Sequence, residues 1–193
     1  MTIATTTEYG VDEDSEYSSR VTRSIIDNYM KRPSLEDRAI GTIATMANND
    51  LMMMRGGNDA PQMFDAAFAF IDQGRVRFLI SGGSAAYHFE DGKLSHRSDP
   101  SEASLIGAGV RYTPRLEAAF EMGKGKTVIL TASRCLATTV SDEALEESLQ
   151  GAQTPEEWME RLKALVGRDK QFCAIAAFLP TEKPSMIKAM LRR

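Results

Sequence analysis

Between residues 64 and 97 the chain alternates between two parities, and twice it breaks that alternation with a short turn ending in glycine. Phe64, Ala66, Phe68 and Phe70 share one parity, and Asp65, Ala67 and Ala69 the other. After Asp72-Gln73-Gly74, Val76, Phe78 and Ile80 alternate with Arg75, Arg77 and Leu79. Residues 84–90 and 93–97 repeat the arrangement around Asp91-Gly92, and Asp-Gly is a strong signal for a two-residue hairpin. Strands joined this way are antiparallel, so the chain is committed to sheets built from hairpins. Beyond a looser stretch, residues 116–122 and 127–132 flank Gly123-Lys124-Gly125-Lys126 and predict a third hairpin.

Helical periodicity brackets this block. Val21, Ile25, Ile26, Tyr29 and Met30 recur at threes and fours over 16–31, which Pro33 closes. Leu35, Ile40, Ile43, Met46, Ala47, Leu51 and Met54 form a second stripe, capped by Ser34 and ended by Gly56-Gly57. The run from Met52 to Met54 invites a soft-metal reading, but no His or Cys stands near it in sequence, and core packing is the plainer role. Further on, one helix opens at Ser141 and another at Thr154. The second has Pro155 at its first position, Glu157 completing a capping box, and Trp158, Leu162, Leu165 and Val166 on its buried face. The last strand, over 172–179, is apolar on both faces, which predicts a central position. Residues 185–192 read as a short basic amphipathic helix.

At 193 residues a single domain buries roughly 70% of its unfolded surface, so the fold needs neither disulfide nor metal to stand. A net charge of −4 lacks the basic footprint of a general nucleic-acid binder. No apolar run reaches the roughly 18 residues a membrane helix needs. Cys135 and Cys173 sit in no zinc-type spacing, and the start MTIATTTEYG has neither the basic region nor the apolar core of a signal peptide. These features predict a cytoplasmic protein with no membrane or nucleic-acid partner.

Four groups of residues now stand in order along the chain. Thr7-Glu8 lie between the strand and the helix start of residues 2–19. Gly82-Gly83-Ser84-Ala85-Ala86-Tyr87 lie within VRFLISGGSAAYHF. Ser133-Arg134-Cys135-Leu136 are followed by Ser141-Asp142-Glu143, and Asp169-Lys170 precede the last strand. In that order they resemble the PPM-type, phosphatase 2C-like family of metal-dependent Ser/Thr phosphatases. The family motifs they match are Asp-Gly-x-Gly-Gly, Gly-Asp-Ser-Arg-x-Tyr, Ser-Asp-Gly-Leu with a Ser-Asp-Glu helix start, and Asp-Asn. The resemblance implies an α+β fold of four αββα layers, an antiparallel β-sandwich flanked by helix pairs and lacking the family's first strands. Residues 1–180 would form this truncated domain, and 181–193 a C-terminal basic amphipathic helix or tail.

Departures from the motifs bear on the chemistry. In that family a pair of divalent ions, held by carboxylates and water, activates the attacking water. At the matching positions this chain carries Thr7, Arg134 and Asp169, so Asp169 is the one ligand-type residue left and Arg134 brings a positive charge. These departures imply a catalytically silent pseudophosphatase domain with no catalytic residue, no metal and no cofactor. It would act by binding a protein or a phosphorylated ligand, with Arg134 and Lys170 as anion-binding groups. The alternative is an active Ser/Thr phosphatase whose rearranged ligands hold manganese or magnesium. Arg134 is also expected to pair directly with Asp169. Missing strands leave a sheet edge open, which implies a partner, either a second copy or another protein.

Other constellations carry less. Asp12, Asp14 and Glu16 could supply replacement ligands, but such acidic stretches are ordinarily solvated. Neither His88 nor His96 is placed by sequence to activate Cys135. Gly82-Gly83-Ser84 lacks the Gly-Lys-Ser/Thr ending and following helix of a phosphate loop.

Overall fold

The two glycine turns form as the sequence demands. In the computed structural model, which describes residues 1–9, 17–54, 63–98, 103–123, 125–167 and 172–179, β2 (Met63–Asp72) and β3 (Arg75–Ser81) pair antiparallel down to Asp72↔Arg75. Gln73 and Gly74 between them have φ of 46° and 79°. Positive φ at both central positions marks the turn whose twist matches that of the flanking strands. β4 (Ala85–Glu90) and β5 (Lys93–Arg97) join in the same way through Asp91 and Gly92, at 50° and 79°.

β1 (Thr2–Tyr9) lies antiparallel to β2, from Thr2↔Phe70 to Tyr9↔Met63. Parity then decides which layer each side chain enters. Phe64, Ala66, Phe68 and Phe70 face α1 (Tyr17–Lys31) and α2 (Asp37–Met54), packing with Val21, Ile25, Tyr29, Ile40, Ala44, Ala47 and Leu51. Ala67, Ala69 and Ile71 face the other way, where with Val76, Phe78 and Ile80 they meet Ala86 and Ile129 of a second sheet. Full burial of each such Phe or Ile contributes about 1.5–3 kcal/mol.

The second sheet has the order β5-β4-β8-β9, with β8 (Thr127–Ala132) between β4 and β9 (Ala174–Leu179). Its outer face is covered by α3 (Arg134–Thr139), α4 (Asp142–Gln150) and α5 (Pro155–Val166). Trp158 anchors this layer: its ring stands edge-on to Phe89 at 5.4 Å, and its Nε1 donates to Ser148 Oγ at 2.8 Å. Ser141 Oγ accepts from Ala144 N, and Thr154 Oγ1 from Glu157 N. Glu157 reaches back to Gln153 N, one residue before the cap. Layers of helix, sheet, sheet and helix are thus the architecture, as the resemblance implied.

Several expectations need correction. The third hairpin does not exist. β6 (Arg115–Leu116) and β7 (Phe120–Glu121) both pair with β3 in the first sheet, and β8 belongs to the second, so the Gly-Lys-Gly-Lys stretch leads from one sheet to the other. Phe120 packs between the sheets against Phe78, His88 and His96, and both edges of β8 are taken by β4 and β9, which leaves none for β7. Helix α3 carries too short a pattern, RCLATT, to show in the sequence. Among the described residues, strand β9 pairs with β8 alone and lies at the edge of its sheet. Its Ala176 and Phe178 meet the helical layer while Leu179 meets the inter-sheet core. Both its faces are apolar because layers flank it, and this says nothing about how many strands pair with it. Ser34 accepts from Glu36 N, but α2 begins only at Asp37, so Ser34 is not its cap. Met30, Met46, Met52, Met53 and Leu165 are exposed; the buried paths run through Tyr29, Ala47, Leu51 and Leu162. The acids Asp12, Asp14 and Glu16, and the segment 181–193, lie outside the described residues.

One polar group is sealed between the sheets. A register shift after His88 leaves Ser95 unmatched in β5 and aims His96 inward beside His88. His88 is 1% exposed, and neither ring nitrogen has a hydrogen-bond partner among the described residues. Burial pushes its pKa below the ordinary value; Glu90 opposes that shift and His96 adds to it. Because the folded pKa is depressed, the unfolded chain takes up the proton first as pH falls through about 6.5. Stability should then drop by at most about 1.4 kcal/mol per pH unit. Urea midpoints at pH 7.5 and 5.5 should fall further for the wild type than for His88→Phe, and equal falls would remove His88 as the cause.

Candidate functional site

At one end of the sandwich, chain ends from both sheets converge. β1 reaches Thr7, whose backbone lies opposite Asp65 near the start of β2. The loop after β3 brings Gly82, Gly83 and Ser84, and the turn after β8 brings Ser133 and Arg134. Asp65 shares the inward parity of Ala67 and Ala69, so its carboxylate enters the space between the sheets and is fully buried.

A buried carboxylate needs donors and a counter-charge. Asp65 Oδ1 accepts from Gly83 N at 2.7 Å, and Oδ2 lies 3.3 Å from Arg134 Nε. The Arg134 side chain keeps 54% of its surface exposed, so the pair joins an interior anion of the first sheet to a half-exposed cation following the second. Gly82 has φ of 65°, and a Cβ there would overlap Asp65 Oδ1; a Cβ on Gly83 would overlap the Arg134 guanidinium. The two glycines therefore leave the space that the ion pair fills. Ser84 Oγ is buried without a partner among the described residues.

The candidates named from sequence fare differently. Arg134 is at this end with a carboxylate against it, but that carboxylate is Asp65, to which the resemblance had not pointed. Asp169 and Lys170 lie outside the described residues, as does any contact between Arg134 and Asp169. Thr7 is at the site by register. Cys135 follows Arg134 and is partly buried, while Cys173 is exposed; His88 and His96 sit in the inter-sheet packing around Phe120 instead. Among the described residues, no three of His, Cys, Asp and Glu gather as a metal-ligand set. One signal did mark Asp65: it is the only charge between Met63 and Ile71, in a strand apolar at both parities.

No family model matches the sequence, and no curated protein does. Solved structures do share the architecture. A bacterial serine phosphatase superposes with a TM-score of 0.76 at 17% identity, over 94% of this chain and 87% of that one. The PPM Ser-Thr phosphatase MsPP from Mycobacterium smegmatis, solved with cacodylate, gives 0.71 at 13%, over 93% and 88%. The S. agalactiae serine/threonine phosphatase gives 0.73 at 13%, over 91% and 85%. The chain has the PPM-type phosphatase fold. At these identities the likeness is one of fold, and the PPM-type frame locates the convergent end of the sandwich without assigning it an activity.

Removing either member of the Asp65–Arg134 pair should destabilise this end of the frame. Breaking a fully buried pair costs about 3–5 kcal/mol, and a solvated one about 0–1. With Arg134 half exposed, Arg134→Ala should cost roughly 1–3 kcal/mol, between those limits. Asp65→Ala and Arg134→Ala together should cost less than their sum in denaturant unfolding; strictly additive losses would show that the contact carries no coupling.

Proposed function

We propose that this chain is a catalytically silent phosphatase 2C-like domain that acts by binding a protein or a phosphorylated ligand. The observation that supports the reading is the guanidinium of Arg134, which fills the space where a side chain on Gly83 would project. In the family motif that position carries an aspartate. Here glycine stands there, and the cation beside it neutralises Asp65. A pair of hard divalent ions needs several oxygen ligands, and a fixed positive charge among them opposes their binding. The described residues at this end therefore do not fit a two-metal centre, and no hydrolytic step is derived through one. A half-exposed guanidinium suits phosphate or carboxylate, which supports an anionic group on the ligand. The two cysteines are unpaired, in keeping with a cytoplasmic setting. Among the described residues no helix is long and apolar enough to cross a membrane.

The test is hydrolysis of p-nitrophenyl phosphate and of a phosphothreonine peptide, each with manganese and with magnesium. The expected result is no turnover above the protein-free blank. Manganese-dependent turnover that disappears in Asp65→Asn or Asp169→Ala would overturn the reading and establish the alternative, an active phosphatase with rearranged ligands.

A further inference from the structure

The four sheet edges of the sandwich are not alike. On one side the first sheet ends in two strands of two residues each, β6 and β7, bearing Arg115 and Glu121. The second sheet ends on that side in β5, with Lys93, Arg97 and a register shift. Short strands, charges and bulges are the devices by which proteins keep edges from pairing. Among the described residues, the other side has longer strands with no bulge and a single charge, Glu8. β1 and β9 are the end strands there, in contact with each other across the sandwich. β9 contains no charge and no proline, β1 carries its one charge, Glu8, near its end, and both strands pair with their inner neighbours in unbroken register.

Beside the two strands and α5 runs a groove of about 490 Å³ lined by Ala4, Thr5, Ala174 and Ile175, with Met159 and Lys163 from the helix. Ile175 is 44% exposed. Thr5 Oγ1 is 2.8 Å from Thr131 Oγ1 and donates to Thr131 O at 3.0 Å, so β1 is fixed over the second sheet and both edges are presented together.

We propose that this side is a homodimer interface in which β1 pairs antiparallel with β1, and β9 with β9, of a second copy. A single two-fold axis perpendicular to the sheets continues both of them at once, and such an interface is self-complementary. Centred on Thr5, β1 opposes Thr5 to Thr5, Ala4 to Thr6 and Ile3 to Thr7. These pairs are neutral and largely β-branched, the composition that favours cross-strand pairing. β9, as AIAAFL, opposes only apolar residues to its copy. The one charge on these strands, Glu8 of β1, falls opposite Thr2 in this register, so no like charges face each other across the axis. The inference gives the binding role proposed above a partner of known chemistry, and it does not depend on catalytic silence, because mass and turnover are separate measurements.

Light scattering coupled to gel filtration on the full chain should return twice the mass of one 21.3 kDa chain. Ile175→Lys should halve that mass with unchanged far-ultraviolet circular dichroism, and Ile175→Val should not. A wild-type monomer at every attainable concentration, or a dimer that survives Ile175→Lys, overturns the proposal. Should Ile175→Lys fail to fold, hydrogen exchange on the wild type decides: amides of β1 and β9 should lose protection on dilution while those of β4 and β8 keep it. Protection that does not change with dilution overturns it too.

Discussion

Strand β2 is buried along both faces, from Phe64 to Ile71, and such a strand has to be covered twice. Phenylalanines on one parity demand a helical layer, and alanines on the other allow a second sheet to approach closely. The second sheet is then covered on one face only, so its own outer parity, Tyr87, Phe89 and Leu130, requires a further helical layer. Four layers follow from one strand. The antiparallel sense comes from the two-residue turns that close the β2–β3 and β4–β5 hairpins, because turns so short can only reverse the chain.

Where this apolar sandwich meets loop ends, it carries one charge that its layers cannot solvate. Asp65 lies within the inter-sheet layer with no exposed surface, and its position constrains its neighbours. The backbone of Gly83 must present its N–H, Gly82 must hold a left-handed turn with no side chain, and Arg134 must reach over from the other sheet. The shape of the candidate site is thus set by the requirements of a single carboxylate. The guanidinium that balances it also takes the room where a side chain on Gly83 would project.

Local signals were the legible ones. Both glycine-turn hairpins, the helix pairs and the caps at Ser141 and Thr154 could be read because each is written within a few consecutive residues. The crossing from β7 to β8 could not be read, because Gly123 and Gly125 look the same in sequence whether the chain turns back or changes sheet. What separates those outcomes is pairing between distant segments: β7 adds to β3, and β4 and β9 take both edges of β8. The edge position of β9 was hidden for a related reason: apolar faces report the layers above and below, and pairing partners lie in a perpendicular direction. The motif positions Arg134 and Thr7 lie at the convergent end, while Asp65, which belongs to none of those motifs, was passed over. Its isolation in an apolar strand was the available clue, and reading it required knowing that the strand is covered on both sides.

The lone tryptophan sits wholly within one outer layer. Trp158 is locked between Phe89 and Phe178 and tethered to Ser148, with no exposed surface. Its emission accordingly senses the packing of α4 and α5 on the second sheet, and is blind to α1 and α2 on the first. An optical melt of this protein followed at that wavelength monitors one half of the sandwich, and loosening confined to the opposite half would pass without a signal.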